Sequence, residues 1–177
     1  MLSRQRRKGA VAAAAASLLV SLAAPAAPVG AASVITVTTT APGINSDSQC
    51  SLQEAIYAAN LNASEAPNPA DPLRGGMIST ACNAGVGVLD TIVLPAGAVF
   101  SMSSVVDDPA NPVGPTATPF ITSSIIMEAN GARIERAGNT LMRAFAVGPS
   151  AALTLRNAHV KGFYARGETR LALDLES

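Results

Sequence analysis

Apolar and polar residues alternate in short runs along most of this chain, and one stretch breaks that rhythm. Val34-Ile35-Thr36-Val37-Thr38-Thr39-Thr40 is β-branched throughout and predicts a first strand, stopped by Pro42-Gly43. A polar segment, Asn45 to Gln49, leads to Cys50. From Ser51 the period changes. Leu52, Ala55, Ile56 and Ala59 recur at helical spacing and predict one apolar face, with Ala58 off it. Ser51 is placed to cap this helix, and Glu54 three residues on completes a capping box. Asn60 and Asn62 suit its end. A helix this short is not stable alone, so its face must lie against something. On this pattern Ile56→Asp should be severe and Ala58→Asp mild.

Residues 63–88, rich in Pro, Gly and Asn, read as a long loop. Short strands then follow one another. Asp90-Thr91-Ile92-Val93-Leu94 is stopped by Pro95-Ala96-Gly97, and Val99-Phe100-Ser101-Met102 comes next. A Pro-rich loop spans Asp107 to Pro119. Phe120-Ile121-Thr122, Ser124 to Glu128, Ala132 to Glu135, Ala144 to Val147, Ala152 to Asn157 and His159 to Lys161 complete the series, with a turn at Asn130-Gly131. Ile125, Phe145 and Val160 or Phe163 recur about 20 residues apart. That spacing predicts the coil of a β-solenoid rather than a sandwich, whose strands would be longer.

Not all of the 177 residues belong to that fold. Arg4, Arg6, Arg7 and Lys8 precede an uncharged run from Gly9 to Ala24. A Pro/Ala stretch ends in Val29-Gly30-Ala31-Ala32, with small residues where a signal peptidase cuts. The order is that of a secretory signal. The apolar run, about 16 residues and mostly Ala, is short for a membrane span, which needs roughly 20. Arg6-Arg7 lacks the bulky apolar residues that twin-arginine export would require after it. Removing the signal changes the charge. The whole chain carries 12 basic and 12 acidic residues, and four of the basic ones lie in the signal, so the remainder carries 8 against 12, a formal −4. A nucleic-acid or anionic-membrane partner is disfavoured, since both need clustered Lys and Arg.

Cys50 and Cys82 form an even pair. In an exported protein such a pair reads as a disulfide, here closing a loop of about 33 residues, for roughly 3–4 kcal/mol of stabilisation. The alternatives are a metal site or a catalytic thiol. Two thiols and one distant His159 make a poor zinc site, which wants four ligands.

Cys50-Ser51-Leu52-Gln53-Glu54-Ala55-Ile56-Tyr57-Ala58-Ala59-Asn60 resembles the N-terminal motif of the CSLREA-domain family of exported bacterial right-handed parallel β-helix proteins, with Gln53 where the family has Arg. Asp90 to Gly97 is similar to that family's DTI-x-LPAG strand and turn. Ile121 to Ile125 and Glu128 to Ile134 are similar to its ITSSITIEGNGATI coil, and Phe145 to Gly162 to its F-x-V-x-LTL-x-x-V-x-G coil. The likeness covers about residues 34–162. It implies an all-β fold, the start of a right-handed parallel β-helix, with the helix at Ser51, Leu52, Glu54 and Ile56 capping its open end. It also gives the Cys50–Cys82 bridge a role in holding cap and loop together. The family usually continues through further coils, whereas here a charged tail runs from Phe163 to Ser177.

The organisation expected is therefore a signal over 1–32, a strand, capping helix and tethered loop over 33–89, first coils over 90–162 and an atypical tail over 163–177. Candidate chemistry is sparse. Asp107-Asp108 is the only acidic pair and sits beside Pro109 in a loop. Arg133, Arg136, Arg143 and Arg156 read as outward strand residues, and His159 as an outward or satisfied histidine without a neighbouring acid, Ser or Cys. No catalytic, cofactor or metal residues are assigned. The function expected is a secreted or cell-surface module, structural or adhesin-like and non-enzymatic, with an unidentified surface or glycan ligand. The alternative is a truncated remnant of a polysaccharide-active lyase or glycoside hydrolase. After Gly162 no cap is evident, so either the natural protein is longer or the open end pairs with another chain.

Overall fold

Alternation fixes which side of each strand faces inward. The computed structural model describes residues 32–71, 75–87 and 89–165. Within them β1 (Val34–Thr36) precedes a single helix, α1 (Leu52–Leu61). The rest is strand: β2 (Glu65–Pro67), β3 (Met77–Ser79), β4 (Leu89–Val93), β5 (Val99–Met102), β6 (Phe120–Ile121), β7 (Ser124–Glu128), β8 (Arg133–Arg136), β9 (Ala146–Val147), β10 (Leu153–Arg156) and β11 (His159–Lys161). Ile92, Phe100, Met102, Ile125, Met127 and Ile134 all point inward and are fully buried. With Ile35, Leu52, Ile56, Ile121 and Met142 they make one core.

The strands pair at long range. One parallel sheet has the order β1-β4-β7-β10, a second β11-β8-β5, and a third β6-β9. Ile92 is in register with Met127, and Met127 with Leu155. Phe100 is in register with Ile134, and Ile134 with Val160. Like residues therefore stack on like, apolar inside and polar outside. Among the described residues β10 and β11 each pair on one side only. Leu155 and Val160, which continue the inward rows, are 38% and 44% exposed there.

The expected all-β right-handed parallel β-helix has to be corrected. The described residues form several short parallel and antiparallel sheets with one helix, and no closed or coiled solenoid is found among them. The expected repeat of about 20 residues is absent from the pairing. Val34 pairs with Thr91, Asp90 with Ile125 and Ile125 with Leu153, unequal steps of 57, 35 and 28 residues. Loops of different length between the strands produce that inequality, and the apparent period came from residues on different sheets. Residues 63–88 were expected to be loop throughout, yet β2 and β3 pair antiparallel, Ala66 opposite Ile78. The expected signal over 1–32 lies outside the described residues except for Ala32, and so does the tail from Arg166 onward. No helix among the described residues is long and apolar enough to cross a membrane.

The expected disulfide is formed. Cys50 and Cys82 are bonded, with Cα atoms 4.8 Å apart. The bridge fixes the residue preceding the helix N-cap to the segment that follows β3. On that segment Gly85 donates its N–H to the Ala58 carbonyl at 3.0 Å. The approach leaves no room for a side chain, because a Cβ on Gly85 would fall 2.9 Å from that oxygen and 2.7 Å from Asp90 Oδ2. This contact overturns the one-sided helix. Every residue from Leu52 to Ala59 is buried, Ala58 completely. Ile56→Asp and Ala58→Asp should therefore both be severe, each placing an unpaired carboxylate in the interior at a cost of several kcal/mol. Urea denaturation of the two variants checks this. A near-native midpoint for Ala58→Asp would mean that this side of the helix is open to water.

Candidate functional site

Polar side chains on a buried helix must find partners within the protein. Those of α1 do so, and they organise the loops around it. Ser51 caps the helix: its Oγ accepts from Glu54 N at 3.2 Å and donates to the Gly43 carbonyl at 2.6 Å. Glu54 completes the capping box by accepting from Ser51 N at 2.8 Å and takes a second N–H, from Asn45, at 2.6 Å. Gln53, buried, accepts from Gly43 N at 3.4 Å and donates to the Ala117 carbonyl at 3.3 Å. An arginine at that position would carry donors only and could not accept the Gly43 N–H. Asn60 donates to the Phe120 carbonyl and accepts from Thr122 N at 2.9 Å.

Beside this helix lies a pocket of about 250 Å³, walled by Gln53, Tyr57, Pro67, Asn68, Val106 and Asp107 among others. It is somewhat smaller than sites that enclose a drug-sized ligand, which run from about 300 Å³ upward. The Tyr57 phenol lies beside the Asp108 carboxylate. Burial pushes the phenol above its ordinary value first, and the charges of Asp108 and Asp107 push it further. Asp108 is itself tied into the backbone, accepting from Phe120 N at 2.9 Å and Ala110 N at 3.0 Å. The acidic pair that reads as a solvated loop is thus half inside. Asp107 is exposed at the pocket and Asp108 is buried against the helix. The sequence carried no sign of this meeting, since Tyr57 lies on the helix outside its apolar period and Asp108 in a distant loop.

A second concavity, an open groove of about 780 Å³, runs along the outer face of the β5-β8-β11 sheet. Parallel register places Val99, Arg133 and His159 in one row across that face and Ser101, Glu135 and Lys161 in the next. The floor is shaped by the turns that precede the strands. Asn130 and Asn157 both take the left-handed conformation that asparagine tolerates. Gly97 N donates to the Asn130 carbonyl at 3.0 Å, and Gly131 N to that of Asn157 at 2.8 Å.

The four arginines that could line one face do four different things. Arg136 reaches the carbonyls of Gly162, Gly138 and Thr140 and lies over the Tyr164 ring, 4.6 Å from its centroid. Arg143 donates to the Val113 carbonyl. Arg156 pairs with Glu128 at 2.7 Å. Arg133 alone of the four lines the groove, and His159 and Lys161 line it too. Among the described residues no three His, Cys, Asp or Glu side chains gather as a metal site would require. The remaining buried acid, Asp90, accepts from Ser33 N, Ser33 Oγ and Val86 N through Oδ1, while Oδ2 has no partner.

No family model matches the chain, and neither a curated protein nor a solved structure matches it.

The Tyr57 contact has a pH signature. In the folded chain the phenol holds its proton to higher pH than in the unfolded chain. Its stabilising contribution is complete below about pH 10, the ordinary tyrosine value, and is lost as pH rises from there through the raised folded value. Tyr57→Phe should cost about 1 kcal/mol or less at neutral pH, because Asp108 keeps its two backbone donors. It should also flatten the fall in stability above about pH 10. Urea midpoints near neutrality and above pH 10 check this, and identical alkaline slopes for both proteins would contradict it.

Proposed function

We propose that this protein is an exported module of the cell surface or the extracellular medium, with a structural or adhesin-like role rather than a catalytic one. The observation that carries the reading is the Cys50–Cys82 disulfide, which braces the helix N-terminus. Such bonds persist in oxidising compartments and are rare where thiols are kept reduced. The first thirty residues, charged, then apolar, then small, have the order of a secretory signal and support the same compartment. The likeness of residues 50–60 and 90–97 to the CSLREA-domain family, whose members are exported, points the same way.

The non-catalytic part of the proposal rests on what the buried carboxylates do. Glu54, Asp90 and Asp108 each accept backbone N–H groups, so each is engaged in holding loops to the helix or to β1. A general acid or base needs a carboxyl free to meet substrate. What remains exposed is binding surface, chiefly the groove on the β5-β8-β11 sheet.

Expression in a bacterial host with a functioning secretion pathway tests the proposal. N-terminal sequencing of material outside the cytoplasm should begin near Ala32 or Ser33. Peptide mapping without reductant should recover the Cys50 and Cys82 peptides linked. Intact Met1 in the membrane fraction, or two freely alkylated thiols in the exported protein, would refute it.

A further inference from the structure

The basic residues of the described C-terminal half divide into two groups. Arg136, Arg143 and Arg156 are held by backbone carbonyls, a tyrosine ring or Glu128. Arg133 and Lys161 have no side-chain partner among the described residues, and both open onto the groove beside His159. Among the described residues of this half, the cations not used to build the fold are thus collected at one place.

Their spacing is set by the sheet. Arg133 and His159 are in register on neighbouring strands, roughly 4.8 Å apart at the backbone. Lys161 lies two residues beyond His159 on the same face, about 6.6 Å along the strand. The parallel ladder holds these positions rigid. Glu135, in register with Lys161, is the one acid in these two rows and makes no ion pair with it among the described residues. Val99 and Ala158 add apolar surface between the polar groups.

From this arrangement we infer that the groove binds an anionic polysaccharide, Arg133 and Lys161 engaging carboxylate or sulfate groups and His159 supplying a further hydrogen bond. Two cations and an imidazole in an open trough suit a chain with separated anionic groups and C–H faces that lie on Val99 and Ala158. Nucleic acid fits less well. Binding a dense phosphate backbone commonly takes about six to ten cationic contacts, and the chain beyond its first 32 residues is net acidic. The inference rests on the surface-module reading and names the ligand class of that surface.

The test is retention of the full disulfide-bonded chain on immobilised polygalacturonate, dextran sulfate, neutral dextran and single-stranded DNA. Retention is expected on one or both acidic polysaccharides, and which of them separates carboxylate from sulfate recognition. It should be lost near 1 M salt, where screening shortens to about 3 Å. Arg133→Gln and Lys161→Gln should each weaken retention about five- to tenfold, as the loss of one charge-assisted contact would. Arg156→Gln, which removes an exposed guanidinium already paired with Glu128, should leave retention unchanged. All three variants should melt close to the parent, since exposed substitutions rarely matter to stability. Failure to bind either acidic polysaccharide overturns the inference, as does equal loss in Arg156→Gln or equally strong retention on DNA. Export is read separately from the N-terminus of secreted protein, so a failure of binding leaves that reading standing, and a failure of export is seen as such.

Discussion

A helix buried on every side from Leu52 to Ala59 is the constraint on which the rest of this structure depends. Enclosing it removes water from every polar side chain it carries, and each must then be satisfied by the chain around it. Gln53 and Glu54 take the N–H groups of Gly43 and Asn45, and Asn60 holds Phe120, Thr122 and Ser123. Loops that would otherwise be free to wander are pinned at their backbones. The disulfide acts on the same junction. It joins Cys50, one residue before the helix cap, to the segment whose Gly85 closes over Ala58. The sheets are then laid against an already anchored element, with Ile35, Ile92 and Ile121 meeting Leu52 and Ile56 in one core.

The two concavities follow from this division of labour. The pocket at Tyr57 lies on the helix side, where charge is turned inward and committed to structure. The groove at Arg133 lies on the sheet side, where alternation turns polar residues out and parallel register lines them up. A buried polar side chain on the helix side has a fixed partner, and the Tyr57 phenol there also holds its proton more tightly than usual. A side chain on the sheet side has room and no partner, which is what recognition of an external molecule requires.

Local features of the fold were legible in the sequence. The capping box, the start and stop of the helix, the strand after Asp90, the Asn130-Gly131 turn and the pairing of the two cysteines all follow from residue chemistry within a few positions or from the parity of the thiols. What could not be read was long-range. Ile125 meets Leu153 because of the lengths of the loops between them, and loop length carries no hydrophobic pattern. Ala58 was misplaced because alanine is as much at home on a helix surface as inside it. Glu65-Ala66-Pro67 and Met77-Ile78-Ser79 are too short to show alternation, so their pairing was invisible. Arg133 and His159 were visible as outward residues and Lys161 as a strand end, but their convergence needed the register of two strands that only the folded chain defines.

The parallel ladders also have a bearing on time. No strand of the first sheet pairs with its neighbour in sequence: β1 waits for Thr91 and β4 for Ser124. Proteins whose contacts join distant parts of the chain fold slowly, because the entropy of closing each loop is lost before the contact is gained. Under the export proposed above, a sluggish search of this kind works in the chain's favour. The slow step would lengthen the interval in which the polypeptide remains threadable, and the Cys50–Cys82 bond would then lock the arrangement once the thiols met an oxidising medium.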